Sequence, residues 1–354
     1  MPRPIPAPAD RPPRVGDAVC WLLILVLMGS MLALARDEIS FRVAPDKWSV
    51  VRIAVVGSGS GSEAADGLAF QRGAELFARE LMEDRDRPLR VELQFFDDQN
   101  DVRQAELRAA EVAEAGFHAV IGHKYSSCSV AAGAIYDAEG IPAVSPAASD
   151  LSVTTARPWY FRTMPSSPRQ AGFMADYVTH VLEARQIAVI SESLTYGTGI
   201  AQAFVEGCEE DPACAVAQQW TFDNETFQGA ELEGKLQALT AQLLEAEPVD
   251  AVALATHAAA AVELVKQLRG RGFQGPIIAP NTLASRAFID AFHPDELHFT
   301  RGVYPVAPLI LDGGEPPVQE FRAAYHRAFG EEPDWGAALA YDAAALIVGA
   351  AEQG

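Results

Sequence analysis

The sequence predicts an α/β protein built from two doubly wound parallel-sheet lobes that are joined by hinge strands. From Trp48 onwards, short β-branched apolar runs alternate with segments of helical periodicity, which is typical of parallel sheets with helical crossovers. The alternation occurs as two successive series within 354 residues, a length that suits two domains better than one. With 49% apolar residues, the chain can bury a core in each lobe.

The first series predicts four strands with helices between them. The predicted strands are 51–56, 91–95, 119–122 and 141–144. The first helix is indicated by residues at helical spacing: Phe70, Gly73, Phe77 and Leu81. Asp101 and Gln104 resemble a capping box and predict the start of the next helix, which ends at Gly116.

The second series begins near Arg162. Its predicted strands are 187–190, 216–222, 249–255 and 275–279, and its predicted helices are 168–184, one from about 199, 231–245 and one through 268. After a proline-rich stretch, two further helices are predicted at about 317–329 and 336–352. No strand follows the last helix, which leaves two alternatives: the fold is complete, or the chain is part of a longer protein.

These elements predict the domain organisation. Residues 49–162 together with about 306–354 form the first lobe, and residues 163–305 form the second lobe. The hinge strands are expected near 161–163 and 303–306. Lobes joined in this way close around a ligand.

Residues 1–35 predict export from the cytoplasm. Three arginines within the first 14 residues precede an apolar run from Ala18 to Ala35, and acidic residues follow. This charge order is typical of a chain whose N-terminus stays in the cytoplasm while the rest is exported. Two outcomes remain open: a signal peptide cleaved after Ala35, or a retained transmembrane anchor. The expected location is the periplasm, with the protein either free or tethered to the inner membrane.

The acidic composition argues against two classes of partner. A formal net charge of −21 argues against nucleic acid and against anionic membrane surfaces, because binding to either needs basic surface. We therefore expect no nucleic-acid partner.

The cysteines predict no metal site. Cys208 and Cys214 are disulfide candidates, since an oxidising compartment would allow them to close a small loop, although two unpaired thiols remain the alternative. Their spacing does not match the short paired spacings of structural zinc sites. We interpret Cys128 as a small buried residue.

An enzyme is not indicated. Gly57, Gly59 and Gly61 follow a strand but lack the G-x-G-x-x-G spacing of a dinucleotide site, and no G-x-S-x-G elbow is present. The histidines are scattered. Asp97 and Asp98 are adjacent at a strand end and point to different sides, so capping or solvation is the expected role. We therefore predict no catalytic residue and no cofactor.

Ligands of open α/β sheets bind beyond the carboxyl ends of the strands, which directs attention to particular loops. The candidate loops are 57–62, 123–129, 145–149, 191–197, 256–259 and 280–282. Ser126, Ser127 and Ser129 open a helix directly after the third strand, where free N–H groups and hydroxyls suit a carboxylate. The alternative is that Ser126 is a simple N-cap.

Several segments resemble a known family. They are Ile53–Gly57, Ile121–His123 running into Ser126 and Ser127, Ser145–Ser149, and Tyr196 with Gly197. In this order and spacing the chain resembles the periplasmic branched-chain amino-acid-binding proteins from about Val51 to its C-terminus. These are type I solute-binding proteins of ABC transporters, and the same fold also forms extracellular sensor domains.

The resemblance implies roles for individual residues. Ser126 is implied to bind the ligand carboxylate through its hydroxyl and backbone amide. Ala147 is implied to contribute its backbone and Ser149 a hydroxyl, in place of a threonine. Tyr196 is implied to close over the ligand from the second lobe.

Three positions depart from the family. Asn281 stands where an acidic residue often holds the ligand ammonium, His257 stands where an aromatic residue often lines the second lobe, and Asp66 stands where a bulky aromatic wall is often found. An amide lacks the charge-assisted strength of a carboxylate toward an ammonium. If Asp66 points into the cleft, it compensates for the carboxylate missing at position 281. The alternative is that Asp66 is a solvated cap of the first helix.

Two functions remain open. In the first, an exported solute-binding protein captures a small carboxylate-bearing ligand, an amino acid or an analogue, for uptake through an ABC permease. In the second, the chain is the ligand-sensing domain of a membrane-anchored receptor, with a signalling partner in the inner membrane.

Overall fold

The computed structural model describes residues 49–353, except 85, 86, 88 and 225. The predicted leader at 1–35 and its Cys20 lie outside the described residues. Within the described residues the strands are β1 (Ser49–Gly57), β2 (Leu89–Asp97), β3 (Ala119–Ile121), β4 (Ala143–Ser145), β5 (Tyr160–Arg162), β6 (Gln186–Glu192), β7 (Ala215–Phe222), β8 (Ala251–Ala255), β9 (Ile277–Ala279) and β10 (Val303–Pro305).

The helices follow the predicted alternation. They are α1 (Ala64–Glu83), α2 (Val102–Glu114), α3 (Ser126–Glu139), α4 (Ser167–Asp176), α5 (Thr195–Glu209), α6 (Gly229–Glu245), α7 (Ala258–Gly270), α8 (Arg286–Asp290), α9 (Pro316–Phe329) and α10 (Trp335–Ala351). Asp101 caps α2 by accepting from Gln104 N at 2.9 Å, as its sequence predicts. The α-helix predicted at 168–184 is shorter, because α4 passes into a π turn at Tyr177–Val181.

The strands form two five-stranded sheets in the described chain. The first has the order β2-β1-β3-β4-β5 and the second the order β10-β9-β8-β6-β7. The pairs β1–β3, β3–β4 and β4–β5 are parallel, and so are the pairs that β6, β8 and β9 form with their neighbours. The predicted α/β class with two doubly wound lobes is therefore confirmed.

Both faces of each sheet are buried, which explains the continuous apolar runs. In β1, Ile53 and Val55 belong to the core beneath α1 and α10, whereas Ala54 and Val56 belong to the core beneath α2 and α3. In β6, alternate residues likewise divide between two cores. Runs without polar alternation are typical of parallel sheets covered by helices on both faces.

The chain crosses between the two lobes directly after β5 and after β10. The first crossing leads from β5 to α4, which packs against the second sheet through Ala171 and Met174. The second leads from β10 to α9, which packs against α1 and α10 through Tyr325. The segments expected to act as hinge strands thus begin as edge strands, β5 beside β4 and β10 beside β9.

Helices α1 and α10 meet with their backbones in close contact. Gly73 of α1 is buried, and a Cβ atom at this position would lie 2.0 Å from the Ala337 carbonyl oxygen. Only glycine therefore permits this approach.

The burial of Asp98 contradicts the prediction that this residue caps a helix or is solvated. Its side chain is fully buried, and its Oδ2 lies 2.6 Å from Nδ1 of His123, whose Nε2 lies 3.0 Å from the hydroxyl of Tyr136. Asp97 does follow the expectation, since it accepts from the backbone N–H groups of Gly59 and Gln99. The pair is thus divided between a buried network and a loop.

Three cysteines lie in the described part of the chain. Cys208 and Cys214 are joined in a disulfide, and Cys128 is a buried free thiol whose pKa burial raises. In the described part of the chain, no helix combines the length and apolar character needed to cross a bilayer.

Asp334→Asn is expected to stabilise the protein at neutral and higher pH. Asp334 caps α10 by accepting from Ala337 N at 2.8 Å, and burial raises its pKa from 3.8 to about 6, with Asp66 adding to the effect. Because the folded state holds this proton more tightly than the unfolded chain, the carboxyl lowers stability as the pH rises from about 4 to about 6. Asparagine keeps the cap without the charge.

The free energy of unfolding is expected to rise by about 1 kcal/mol at about pH 8 and by close to zero at about pH 4. The gain at the higher pH is modest because solvent partly screens the charge of this half-buried side chain. Urea unfolding of both proteins at the two pH values measures it. An equal gain at both pH values would contradict the assigned pKa.

Candidate functional site

A cleft between the lobes gathers residues from the carboxyl ends of strands in both sheets. It encloses about 170 Å³. Its lining consists of Glu63, Asp66, Lys124, Ser126, Ala147, Tyr196, His257, Ala258, Ala259, Val262, Asn281, Thr282, Ser285, Ala291 and Trp335. The loops after β1, β3 and β4 supply the first-lobe side, and those after β6, β8 and β9 supply the second-lobe side, as expected for open parallel sheets.

Lys124 joins two carboxylates on the first-lobe side. Its Nζ lies 2.5 Å from Oδ2 of Asp66 and also contacts Oε2 of Glu63. All three side chains are largely buried, with exposed fractions of 12% for Lys124, 16% for Glu63 and 19% for Asp66. Asp66 therefore points into the cleft and is not a solvated helix cap.

The charges in this cluster stabilise one another. Burial alone would lower the pKa of Lys124, but Glu63 and Asp66 outweigh it, so the pKa is raised. Burial likewise opposes ionisation of Glu63, yet Lys124 and His257 hold the pKa of its carboxyl below the ordinary value. Lys124 is therefore an ammonium and Glu63 a carboxylate at neutral pH.

Ser126 lies at the first turn of α3, where backbone N–H groups have no partner within the helix. The side chain is buried, and its Oγ accepts from Asp150 N at 3.3 Å. The Ser126 hydroxyl therefore retains its proton for donation to a ligand. Together with the helix dipole, this end of α3 suits a carboxylate.

The structure separates the other first-lobe candidates. Ala147 lines the cleft, and its N–H donates to Ser145 Oγ at 3.2 Å. Ser149 is fully buried outside the lining, with its hydroxyl 3.1 Å from that of Ser167 on α4. Ser127 is also not part of the lining.

His257 forms a buried hydrogen bond to Glu192 on the second-lobe side. Its Nδ1 lies 2.5 Å from Oε1 of Glu192, whose Oε2 accepts from Thr256 Oγ1 at 2.8 Å and from Asn224 Nδ2 at 3.0 Å. Burial would raise the pKa of the fully buried Glu192, but the charge and hydrogen bonds of His257 lower it. His257 is thereby fixed in one orientation.

Aromatic rings connect the two sides of the cleft. The His257 ring lies 4.1 Å from the Tyr125 ring of the first lobe and 4.8 Å from the Tyr196 ring of its own lobe, between ring centroids. His257 thus lies between two tyrosine rings, one from each lobe. The Tyr125 contact brings the lobes together in this structure.

Asn281 is held through both its side chain and its backbone. Its Oδ1 accepts from the Tyr196 hydroxyl at 3.0 Å, and its backbone N–H donates to Gln170 Oε1 at 3.3 Å. Gln170 is itself held by a bond from Nε2 to Pro165 O at 2.9 Å. Burial raises the pKa of Tyr196, so its hydroxyl remains protonated and acts as the donor.

Of the eight predicted ligand-binding residues, the structure places six in one cleft. These are Asp66, Ser126, Ala147, Tyr196, His257 and Asn281. Sequence reasoning missed Glu63, Lys124, Glu192 and Trp335. Lys124 and Glu192 belong to candidate loops, and Glu63 directly follows one, so their polar character was the available signal. Trp335 follows a proline-rich stretch outside the candidate loops, and its sequence context gave no such signal.

No cluster of three or more histidine, cysteine or acidic side chains arranged to hold a metal ion occurs among the described residues.

Comparison with known proteins decides the family. Residues 50–354 match the family model described as periplasmic binding protein. The chain belongs to the periplasmic binding protein family. A similar member of the periplasmic binding protein family is the Leu/Ile/Val-binding protein of Escherichia coli (strain K12), 28% identical over 262 residues, which are 73% of this chain and 67% of the relative.

Solved structures show the same fold. A branched-chain amino acid transporter substrate-binding protein from Streptococcus pneumoniae, in complex with isoleucine, has a TM-score of 0.73 and 24% identity over 86% of this chain and 84% of its own. A solute-binding protein from R. palustris, in complex with benzoate, has a TM-score of 0.71 and 19% identity over 84% of this chain and 79% of its own. The resemblance to periplasmic binding proteins inferred from the sequence is confirmed.

Proposed function

We propose that the protein is a periplasmic solute-binding protein that captures a small carboxylate-bearing ligand and delivers it to an ABC permease. The ligand, an amino acid or an analogue, binds between the first lobe (49–162 with about 306–354) and the second lobe (163–305). The observation that carries the proposal is the cleft, in which Ser126 at the start of α3 faces Tyr196 and His257 of the second lobe.

The chemistry of the relatives supports a carboxylate. The E. coli relative is named for leucine, isoleucine and valine, and the two solved structures contain isoleucine and benzoate. These ligands differ in their apolar part and in the amine, but all carry one carboxylate. The buried Ser126 hydroxyl and the N-terminal amides of α3 supply the matching donors.

A thermal-shift screen of the 354-residue chain tests this proposal. The panel contains aliphatic amino acids, their oxo and hydroxy acids, their amides, and benzoate. A ligand that binds only the folded state raises the melting temperature. At a concentration of 100 times its Kd, it adds about 2.7 kcal/mol to the free energy of unfolding. We expect a shift with carboxylates and none with the amides, and isothermal titration then gives the Kd. No shift with any carboxylate would overturn the proposal.

Ser126→Ala is expected to weaken binding of the best panel ligand by roughly 1–3 kcal/mol, because the ligand loses a donor from a buried hydroxyl. Isothermal titration measures the change. Ser127→Ala is the matched control, since Ser127 is the adjacent residue but lies outside the cleft. Equal affinities of the two variants would remove the Ser126 hydroxyl from the site.

A further inference from the structure

Two sets of side-chain oxygens in the cleft could accept from a ligand ammonium, and groups of the protein already donate to both. The first is the pair of carboxylates, Glu63 and Asp66, on the first-lobe side. The second is Asn281 on the second-lobe side.

The ammonium group of Lys124 already occupies the place between Glu63 and Asp66. Its Nζ bonds to both carboxylates, and the side chain is only 12% exposed. A ligand ammonium at this position would meet a like charge at close range, which is unfavourable in a buried site. The third N–H of Lys124 instead suits an acceptor.

Asn281 presents a donor to the cleft. Its carbonyl oxygen is engaged by the Tyr196 hydroxyl, and the residue is only 3% exposed. Its Nδ2 group has no hydrogen-bond partner among the described residues, although Asn281 lines the cleft. Nδ2 is therefore free to donate to a bound ligand, and a ligand that fills the cleft is expected to supply an acceptor there, because a donor left unmatched on binding is costly. An ammonium, which only donates, cannot do so.

We propose that the cleft selects carboxylic acids without an amine, in which an oxygen acceptor replaces the ammonium of an amino acid. The substrate class is therefore the 2-oxo and 2-hydroxy acids. Their carboxylate meets Ser126 and the start of α3, and their second oxygen accepts from Asn281 Nδ2. This inference rests on the proposed function, because it assigns the ligand class of the same cleft.

Matched ligands test the inference. Isothermal titration of the 354-residue chain compares leucine with 4-methyl-2-oxopentanoate, 2-hydroxy-4-methylpentanoate and 4-methylpentanoate, which share one carbon skeleton. We expect the oxo and hydroxy acids to bind at least about tenfold more tightly than leucine, since each unmatched buried donor costs about 1–3 kcal/mol. The unsubstituted acid should lie between them.

Asn281→Asp is expected to invert this order. A carboxylate at 281 accepts from an ammonium and repels a second acceptor, so leucine should gain and the oxo acid should lose at least about tenfold in affinity. Gln353→Glu is the control matched in charge, because Gln353 is exposed and lies outside the cleft. It should leave the order unchanged.

The outcomes separate this inference from the proposed function. Suppose that leucine binds more tightly than its oxo acid and that Asp66→Asn abolishes this preference. The ligand ammonium would then lie beside Asp66, which would overturn the inference but leave the proposed function standing. Binding of benzoate or 4-methylpentanoate in preference to the oxo acid would also overturn it. Binding of no member of the series, with no thermal shift from any carboxylate, would overturn the proposed function itself.

Discussion

A Lys124→Met protein is expected to bind the best carboxylate ligand about 100-fold more weakly than the unchanged protein. The substitution keeps an apolar side chain of similar length but leaves Glu63 and Asp66 without the cation that both contact. Removing one member of a buried charge cluster costs about 2–5 kcal/mol in binding, because the remaining charges are unpaired. Here the remaining charges are also negative and repel a ligand carboxylate.

Isothermal titration measures this loss. Lys266→Met is the matched control, since Lys266 also pairs with a carboxylate, Glu296 at 2.8 Å, but outside the cleft. We expect the control to change affinity by less than about twofold, in keeping with the small contribution of such surface pairs. If Lys124→Met bound the ligand as well as Lys266→Met does, the cation would have no part in the site.

Gly73→Ala is expected to destabilise the first lobe by about 3 kcal/mol, the upper part of the usual range for overpacking. The new methyl group would lie 2.0 Å from the Ala337 carbonyl oxygen, so α1 and α10 must separate. Both partners are helix backbone, and neither can swing aside as a long side chain would. Urea unfolding followed by circular dichroism measures the change.

Gly234→Ala provides a control of opposite sign. Gly234 lies on the exposed side of α6, and a Cβ atom there has no neighbour within 4 Å. Alanine should therefore stabilise by about 0.5–1 kcal/mol through its better helix propensity. A stabilising Gly73→Ala substitution would contradict the close approach of α1 and α10.

The loops of the site were predictable, whereas the pairings within them were not. Hydrophobic runs of β-branched residues locate parallel strands, and the strand ends then locate the loops that hold Ser126, Tyr196 and Asn281. The bond from Tyr196 to Asn281 joins residues 85 positions apart, and its donor direction decides what Asn281 can offer a ligand. Such directions depend on three-dimensional placement that periodicity does not contain.

Charged residues gave the weakest prediction. Asp98 has the sequence context of a solvated strand end, yet the fold buries it against His123. Asp66 was equally consistent with a helix cap and with the cleft, and only the position of Lys124, 58 residues later, distinguishes the two. Burial of a charge depends on a partner, and the partner here comes from another loop.

The packing of α10 has a consequence for the order in which the two lobes can complete their cores. One face of the first sheet, including Ile53, Val55 and Ile121, is covered by α10 residues such as Ala340 and Ala343. Ala340 lies 287 positions after Ile53 in the chain, and the whole second lobe (163–305) lies between them. The second lobe can therefore complete its core before the first lobe does. Until α10 docks, the apolar residues on this face of the first sheet remain exposed, which makes such an intermediate prone to aggregation.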